Sequence, residues 1–136
     1  MVKVLILTHG NLAGSLDETL GLFLNDRKGL ESIGLDVDTE RFKALVRKAI
    51  IDSPEKEILV MIDLFGGTPF NVVASLLSQA KANGKRVEVI TGVNLPMILE
   101  VVPKIDICSL EELKTTAFEM GKYGIRDLLS ELNKRT

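Results

Sequence analysis

His9 is the only histidine in the chain, and it ends the apolar run "VLILTH" directly before Gly10. An imidazole has an ordinary pKa near ~6.5, so a neutral, nucleophilic ring nitrogen is available around neutral pH. The second stretch with chemical content is "MIDLFGGTPFN", residues 61–71. Its carboxylate, Asp63, suits an orienting role: it accepts a hydrogen bond from one ring nitrogen and leaves the other free to attack. Gly66-Gly67 permits close approach of another group. Thr68 is a good helix N-cap, and Pro69 fits the first helical position, where its missing N–H costs nothing. A helix started this way turns backbone N–H groups and a positive dipole end toward an anion. Gly-Lys-Ser/Thr is absent from the loop, which is therefore not a nucleotide P-loop. Singly, each residue also fits a structural role: His9 as a donor, Asp63 as a loop cap, the glycines as a turn. Jointly they specify phosphate or phosphoryl chemistry at His9.

The elements that must bring these residues together follow from apolar patterning. Apart from Lys3, residues 2–7 are continuously apolar, as expected of a strand covered on both faces. Ala13, Leu16, Leu20, Phe23 and Leu24 then recur at helical spacing. Residues 30–35 make a weak second strand, and Asp38 caps a helix with an apolar face of Phe42, Leu45, Val46, Ala49 and Ile50. Residues 57–62 are the clearest strand. A helix follows, with Val73, Leu76, Leu77 and Ala80 inward and Asn83-Gly84 at its end. Residues 87–91 form a fourth strand and 96–102 a short helix. Ser109-Leu110-Glu111-Glu112 has capping-box spacing and starts a helix toward Gly121. The tail at 124–129 fits a strand or a helix.

Strands alternating with helices predict one doubly wound α/β domain over residues 1–136, with a mainly parallel sheet and helices on both faces. In the strand order 2-1-3-4, the ligand crevice lies beyond the carboxyl ends of strands 1 and 3. Those ends carry His9 and Asp63.

Composition excludes several other classes. A net charge of −2 with scattered basic residues gives no footprint for nucleic acid. No apolar run reaches bilayer length. One cysteine, Cys108, allows no internal disulfide, and Met1 runs straight into the first strand with no signal peptide; both suit a cytoplasmic location. No cluster of metal ligands is evident, and neither metal nor cofactor is expected. A flavin- or nucleotide-binding flavodoxin-like module fits poorly with 4% aromatic residues and no tryptophan.

The motifs "THG" (8–10), "DLFGGTPFN" (63–71) and "TGVNLPM" (91–97) together resemble the enzyme IIA component of the mannose/fructose/sorbose class of the bacterial phosphotransferase system (PTS). The resemblance runs essentially the whole length. It implies a histidine phosphoryl carrier that accepts a phosphoryl group from the phosphocarrier HPr on His9, by Nε2, and passes it to enzyme IIB. The membrane components IIC and IID are then indirect partners in sugar uptake. It also implies a homodimer, with a C-terminal strand near 124–129 packing on the partner and bringing the sheet to about five strands. Enzyme IIB is expected to be a separate polypeptide. Many relatives have Trp at Phe65 and Ser at Thr68; Thr keeps the hydroxyl.

Gly66, Gly67 and Thr68 are then the expected phosphoryl-binding residues. Phe65, Phe70, Leu12 and Met97 are candidates for an apolar docking rim, and Asn94 and Pro96 for the crevice wall. Two other phosphoryl readings have distinct signatures. A histidine phosphatase needs an arginine and a second histidine, and here Thr8 stands before His9. A donor subunit for a dihydroxyacetone kinase shares the histidine, but "GGTPFN" with "GVNLPM" points to the sugar branch.

Overall fold

A computed structural model of the chain describes residues 1–134. Strands β1 (Lys3–His9), β2 (Leu30–Leu35), β3 (Glu57–Ile62) and β4 (Arg86–Thr91) form one parallel sheet in the order β2-β1-β3-β4. The helices are α1 (Leu12–Leu20), α2 (Thr39–Ile50), α3 (Thr68–Ala82), α4 (Leu95–Val101), α5 (Leu110–Tyr123) and α6 (Leu128–Lys134), with a 3-10 turn at Val102–Lys104.

The unbroken apolar runs of β1 and β3 are explained by two cores, one on each face. Val4, Ile6, Leu59 and Met61 pack under α1, α4 and α5, against residues such as Leu20, Ile98 and Leu113. Leu5, Leu7, Ile58, Val60 and Ile62 face the other way, onto Phe42 and Val46 of α2 and Val73 of α3. Helix α1 leads from β1 to β2 in one direction across the sheet, whereas α2 and α3 accompany moves in the other. Right-handed crossovers therefore put them on opposite faces. The direction reverses between β1 and β3, which opens the crevice there.

Local signals set the helix ends. Asp38 caps α2 by accepting from the Arg41 amide at 3.0 Å. At α5 both halves of the capping box are made: the Glu112 amide donates to Ser109 Oγ at 3.2 Å, and the Ser109 amide donates to Glu112 at 3.0 Å. Ser109→Ala is expected to lower stability by about 1 kcal/mol. A shift of the urea midpoint at constant slope checks it, and an unmoved midpoint contradicts it. At the sheet end remote from His9, the buried Lys85 ammonium donates to the carbonyls of Ser53 and Glu55. Burial pushes that group below its ordinary value, and nearby Lys56 adds to the effect.

Three expectations need correction. The sheet has four strands among the described residues, and no strand covers 124–129. Ile125, Leu128, Leu129 and Leu132 instead follow helical spacing. Asp127 opens α6, its carbonyl accepting from the Glu131 amide and its carboxylate from Ser130 Oγ at 2.7 Å. Arg126 then grips Glu131 through both Nε and Nη2. Second, α1 closes at Gly21, so Phe23 lies beyond the helix and is exposed. Third, α3 buries Val72, Val73 and Ala80 while Leu77 remains exposed, a stripe rotated from the one expected.

Candidate functional site

The carboxyl ends of β1 and β3 bring His9 and Asp63 into contact. Asp63 Oδ2 accepts from the His9 backbone amide at 3.0 Å and lies 3.0 Å from His9 Nδ1. The carboxylate is therefore held by the same residue it orients. Its other oxygen, Oδ1, is buried and has no hydrogen-bond partner among the described residues. With Nδ1 donating to the carboxylate, the ring is the tautomer whose Nε2 carries a free lone pair. The His9 side chain is 42% exposed and that of Asp63 15%, so the nucleophile faces solvent while its orienting group is sheltered.

Residues 8–10 are fixed from three sides. Thr8 is fully buried, and its Oγ1 accepts from the Ala13 amide at 2.7 Å. It thereby caps α1, a task the formal cap, Asn11, leaves undone. The His9 amide is taken by Asp63, and the Gly10 amide donates to the Leu35 carbonyl of β2 at 2.7 Å. Gly10 sits at φ 57°, in the left-handed region that lets the chain turn sharply from strand into helix.

The glycine loop approaches the ring from the other side. Gly66 has φ 82°, and its carbonyl accepts from Asn71 Nδ2 at 3.3 Å. A Cβ on Gly67 would stand 2.6 Å from His9 Cε1, closer than real side chains come, and 3.0 Å from Nε2, so the ring would have to move. Gly67 is also the N-cap of α3, with Pro69 in the first turn, which corrects the expectation that Thr68 is the cap. Thr68 is the first helical residue; it is exposed and lines the groove between α2 and α3. The start of a fifteen-residue helix thus lies beside Nε2, where orphan N–H groups and the helix dipole favour an anion.

The remaining candidates divide. Phe65 is 75% exposed and its ring centroid lies 4.6 Å from that of Phe70, tilted at 46°. Phe70 is half-buried against the α2–α3 core. Leu12 and Leu64 are exposed at the same end of the sheet, after β1 and β3. Met97 is not a rim residue: it is buried in the core, and its side chain fills the space a Cβ on Gly121 would need. Asn94 caps α4 by accepting from the Met97 amide at 3.0 Å, and its Nδ2 donates to the Gly121 carbonyl at 3.0 Å. Pro96 packs against Gly124. The structure thus shows Asn94 and Pro96 joining α4 to α5.

Sequence reasoning passed over Thr8 as a cap and Gly34 as a contact of the β1–α1 turn. An isolated glycine inside a strand was the signal for the second, since it marks a close backbone approach. Among the described residues no three His, Cys, Asp or Glu side chains group to hold a metal. No described helix is long and apolar enough to cross a membrane.

Known proteins match this arrangement along nearly the whole chain. The family model described as the PTS system fructose IIA component, EIIA-man, matches residues 3–118. The fructose-specific EIIA component of Bacillus subtilis (strain 168) is 29% identical over 98% of this chain and 91% of its own length. The mannose-specific EIIAB component of Escherichia coli (strain K12) is 31% identical over 93% of this chain, which spans only 39% of that protein. Among solved structures, the phosphotransferase system component EIIA from Streptococcus agalactiae superposes with a TM-score of 0.85 at 28% identity, covering 96% of this chain and 99% of that one. On this evidence the chain belongs to the EIIA-man family of sugar phosphotransferase system IIA components.

Proposed function

We propose that the chain is a phosphohistidine carrier in which His9 Nε2 accepts a phosphoryl group from phospho-HPr and passes it to enzyme IIB. The observation that carries this reading is the 3.0 Å contact of His9 Nδ1 with Asp63, which leaves Nε2 of a half-exposed side chain free beside the α3 N-terminus. In the forward step Nε2 donates its lone pair to phosphorus as the donor's bond to phosphorus breaks, the electron pair leaving with the donor. The ring becomes cationic, and the Asp63 carboxylate balances that charge through Nδ1–H. The same carboxylate repels an incoming phosphoryl group. The amides behind Gly66 and Gly67, with the Thr68 hydroxyl, offset the repulsion, since donors placed for developing charge supply about 3 kcal/mol each. Transfer onward reverses the step on the acceptor.

A half-exposed nucleophile at the carboxyl end of the sheet suits a protein-sized partner, and Leu12, Leu64 and Phe65 offer apolar contact for one. Partners meet the site in the cytoplasm, where HPr and IIB operate, and sugar uptake follows through the membrane components. A homodimer is part of the same reading: Tyr123, Ile125, Leu128, Leu129 and Leu132 are all exposed on the C-terminal segment, and β4 is an edge strand of the sheet.

Incubation with phospho-HPr followed by intact-mass measurement tests the reading. The expected result is one added phosphoryl group per chain, lost on addition of a cognate IIB protein. No gain in mass contradicts it, and preferential loss to a dihydroxyacetone kinase subunit moves the chain to that branch. Asp63→Asn is expected to slow acceptance by about 10- to 100-fold, because an amide cannot balance an imidazolium and presents the wrong donor to one tautomer. Donor affinity is retained. An unchanged single-turnover rate would remove Asp63 from the mechanism.

A further inference from the structure

Gly34 belongs to none of the three sequence motifs and lies in β2, an edge strand, opposite Thr8 of β1. It is on the α1 side of the sheet, since the adjoining Ile33 packs into the α2–α3 core. The chain leaving β1 crosses directly over it. A Cβ on Gly34 would stand 2.0 Å from the Gly10 carbonyl oxygen, 3.2 Å from the Gly10 carbonyl carbon and 3.7 Å from Asn11 Cα. Of the contacts that a Cβ would meet at any glycine of the chain, this oxygen is the nearest, and it is backbone. A flexible side chain could swing away; this carbonyl can move only with the turn that carries it.

That turn is tied to the nucleophile on one side and to α1 on the other. The Gly10 amide donates to Leu35, the residue after Gly34, so the peptide on either side of Gly10 rests on β2. The Ala13 amide is fixed to Thr8 Oγ1. The His9 amide is fixed to Asp63 Oδ2, the same oxygen that orients the ring. Unless β2 itself gives way, relieving the contact requires the Gly10–Asn11 peptide, one residue beyond His9, to shift by more than an ångström, and the hydrogen bonds of the Gly10, His9 and Ala13 amides resist that movement.

We infer that Gly34 is a positioning residue: by lacking a side chain it lets the β1–α1 turn lie flat on β2, and so sets where His9 Nε2 points. The inference rests on His9 being the phosphoryl acceptor, as proposed above. It adds a residue from an edge strand, remote from both loop motifs, to the set that determines the transfer rate. Shifts of about 1 Å in a reacting group cost on the order of 100-fold in rate, which is the size of effect a Cβ here should produce.

Gly34→Ala is compared with two controls. Gly14→Ala places a Cβ near only the Asn11 side chain, which is free to turn away. Gly10→Ala places one in open space and adds only the strain of φ 57°. The first readout is the nitrogen chemical shifts of the His9 ring, recorded with no phosphoryl donor present. The second is the single-turnover rate from phospho-HPr. Gly34→Ala is expected to stay folded by circular dichroism, to displace the Nδ1 and Nε2 resonances, and to slow transfer about 100-fold. Gly14→Ala should match the unaltered chain in both readouts, and Gly10→Ala should lie between. Unchanged ring resonances and rate in Gly34→Ala overturn the inference. So does a Gly10→Ala chain more impaired than Gly34→Ala, or a Gly34→Ala chain that does not fold, since the glycine would then serve the fold and not the aim of the ring. If the unaltered chain accepts no phosphoryl group, the carrier reading fails, while the ring resonances still report whether Gly34 positions His9.

Discussion

His9→Ala is expected to abolish phosphoryl acceptance from phospho-HPr, with a loss greater than about 1000-fold, because the step has no second imidazole to turn to at the carboxyl end of the sheet. The chain holds a single histidine, so no second imidazole can substitute. The fold should survive the change. His9 is the last residue of β1, its side chain is 42% exposed, and the strand's anchoring groups, Thr8 Oγ1 and the residue 9 amide, remain. Asp63 loses one of two hydrogen bonds to its Oδ2, so a modest loss of stability accompanies the loss of transfer. Intact-mass measurement on the variant after exposure to phospho-HPr checks the first part, and thermal unfolding the second. A variant that still gains one phosphoryl group per chain places the acceptor elsewhere.

Gly67→Ala is the second large effect, expected to lower the single-turnover rate about 100-fold with little change in stability. The backbone at Gly67 has φ −77° and ψ 179°, an extended conformation open to alanine, so no backbone strain enters. The obstruction is the ring itself, 2.6 Å away at Cε1 and 3.0 Å at Nε2. His9 cannot simply rotate to make room, because Nδ1 is held to Asp63. The variant must either give up that hydrogen bond or cover Nε2 with a methyl group, and both harm transfer. The pairing of intact stability with lost rate separates this steric effect from damage to the loop. If Gly67→Ala transfers as fast as the unaltered chain, the ring is not confined as described.

The meeting of His9 with Asp63 was legible in sequence once the common order 2-1-3-4 was taken for a doubly wound sheet, an order the structure has. Continuous apolar runs in β1 and β3 mark strands buried on both faces, and a parallel sheet then has one reversal point. Residues at strand ends near that point must converge, whatever the details of the loops. Legibility stopped where the deciding contact was between segments distant in sequence. Met97, in a loop motif, looked like a rim residue; its burial depends on Gly121 giving it room, which no local pattern records. Gly34 owes its role to a carbonyl twenty-four residues earlier in the chain.

Shorter-range errors have a different origin. Both Gly67 and Thr68 are acceptable caps by residue type; Gly67 is the extended residue before the first helical turn, at a place where the ring leaves little space for a side chain. At the tail, "IRDLLSELNK" has helical spacing of its apolar residues, yet strand formation was expected from a resemblance. Within the chain itself the Arg126–Glu131 pair and the Asp127 start favour the helix. Its leucines remain exposed, so nothing in the core decided the matter.

In the proposed relay, a ring nitrogen kept free by a carboxylate on its opposite side takes up the phosphoryl group. Phosphorus–nitrogen coupling, measured by NMR on the ring-labelled protein after exposure to phospho-HPr, identifies the atom that carries the group. The expected spectrum shows a single phosphorus coupled to Nε2 of His9, with Nδ1 still protonated and facing Asp63. Phosphorus bonded to Nδ1, or to any residue other than His9, would contradict it.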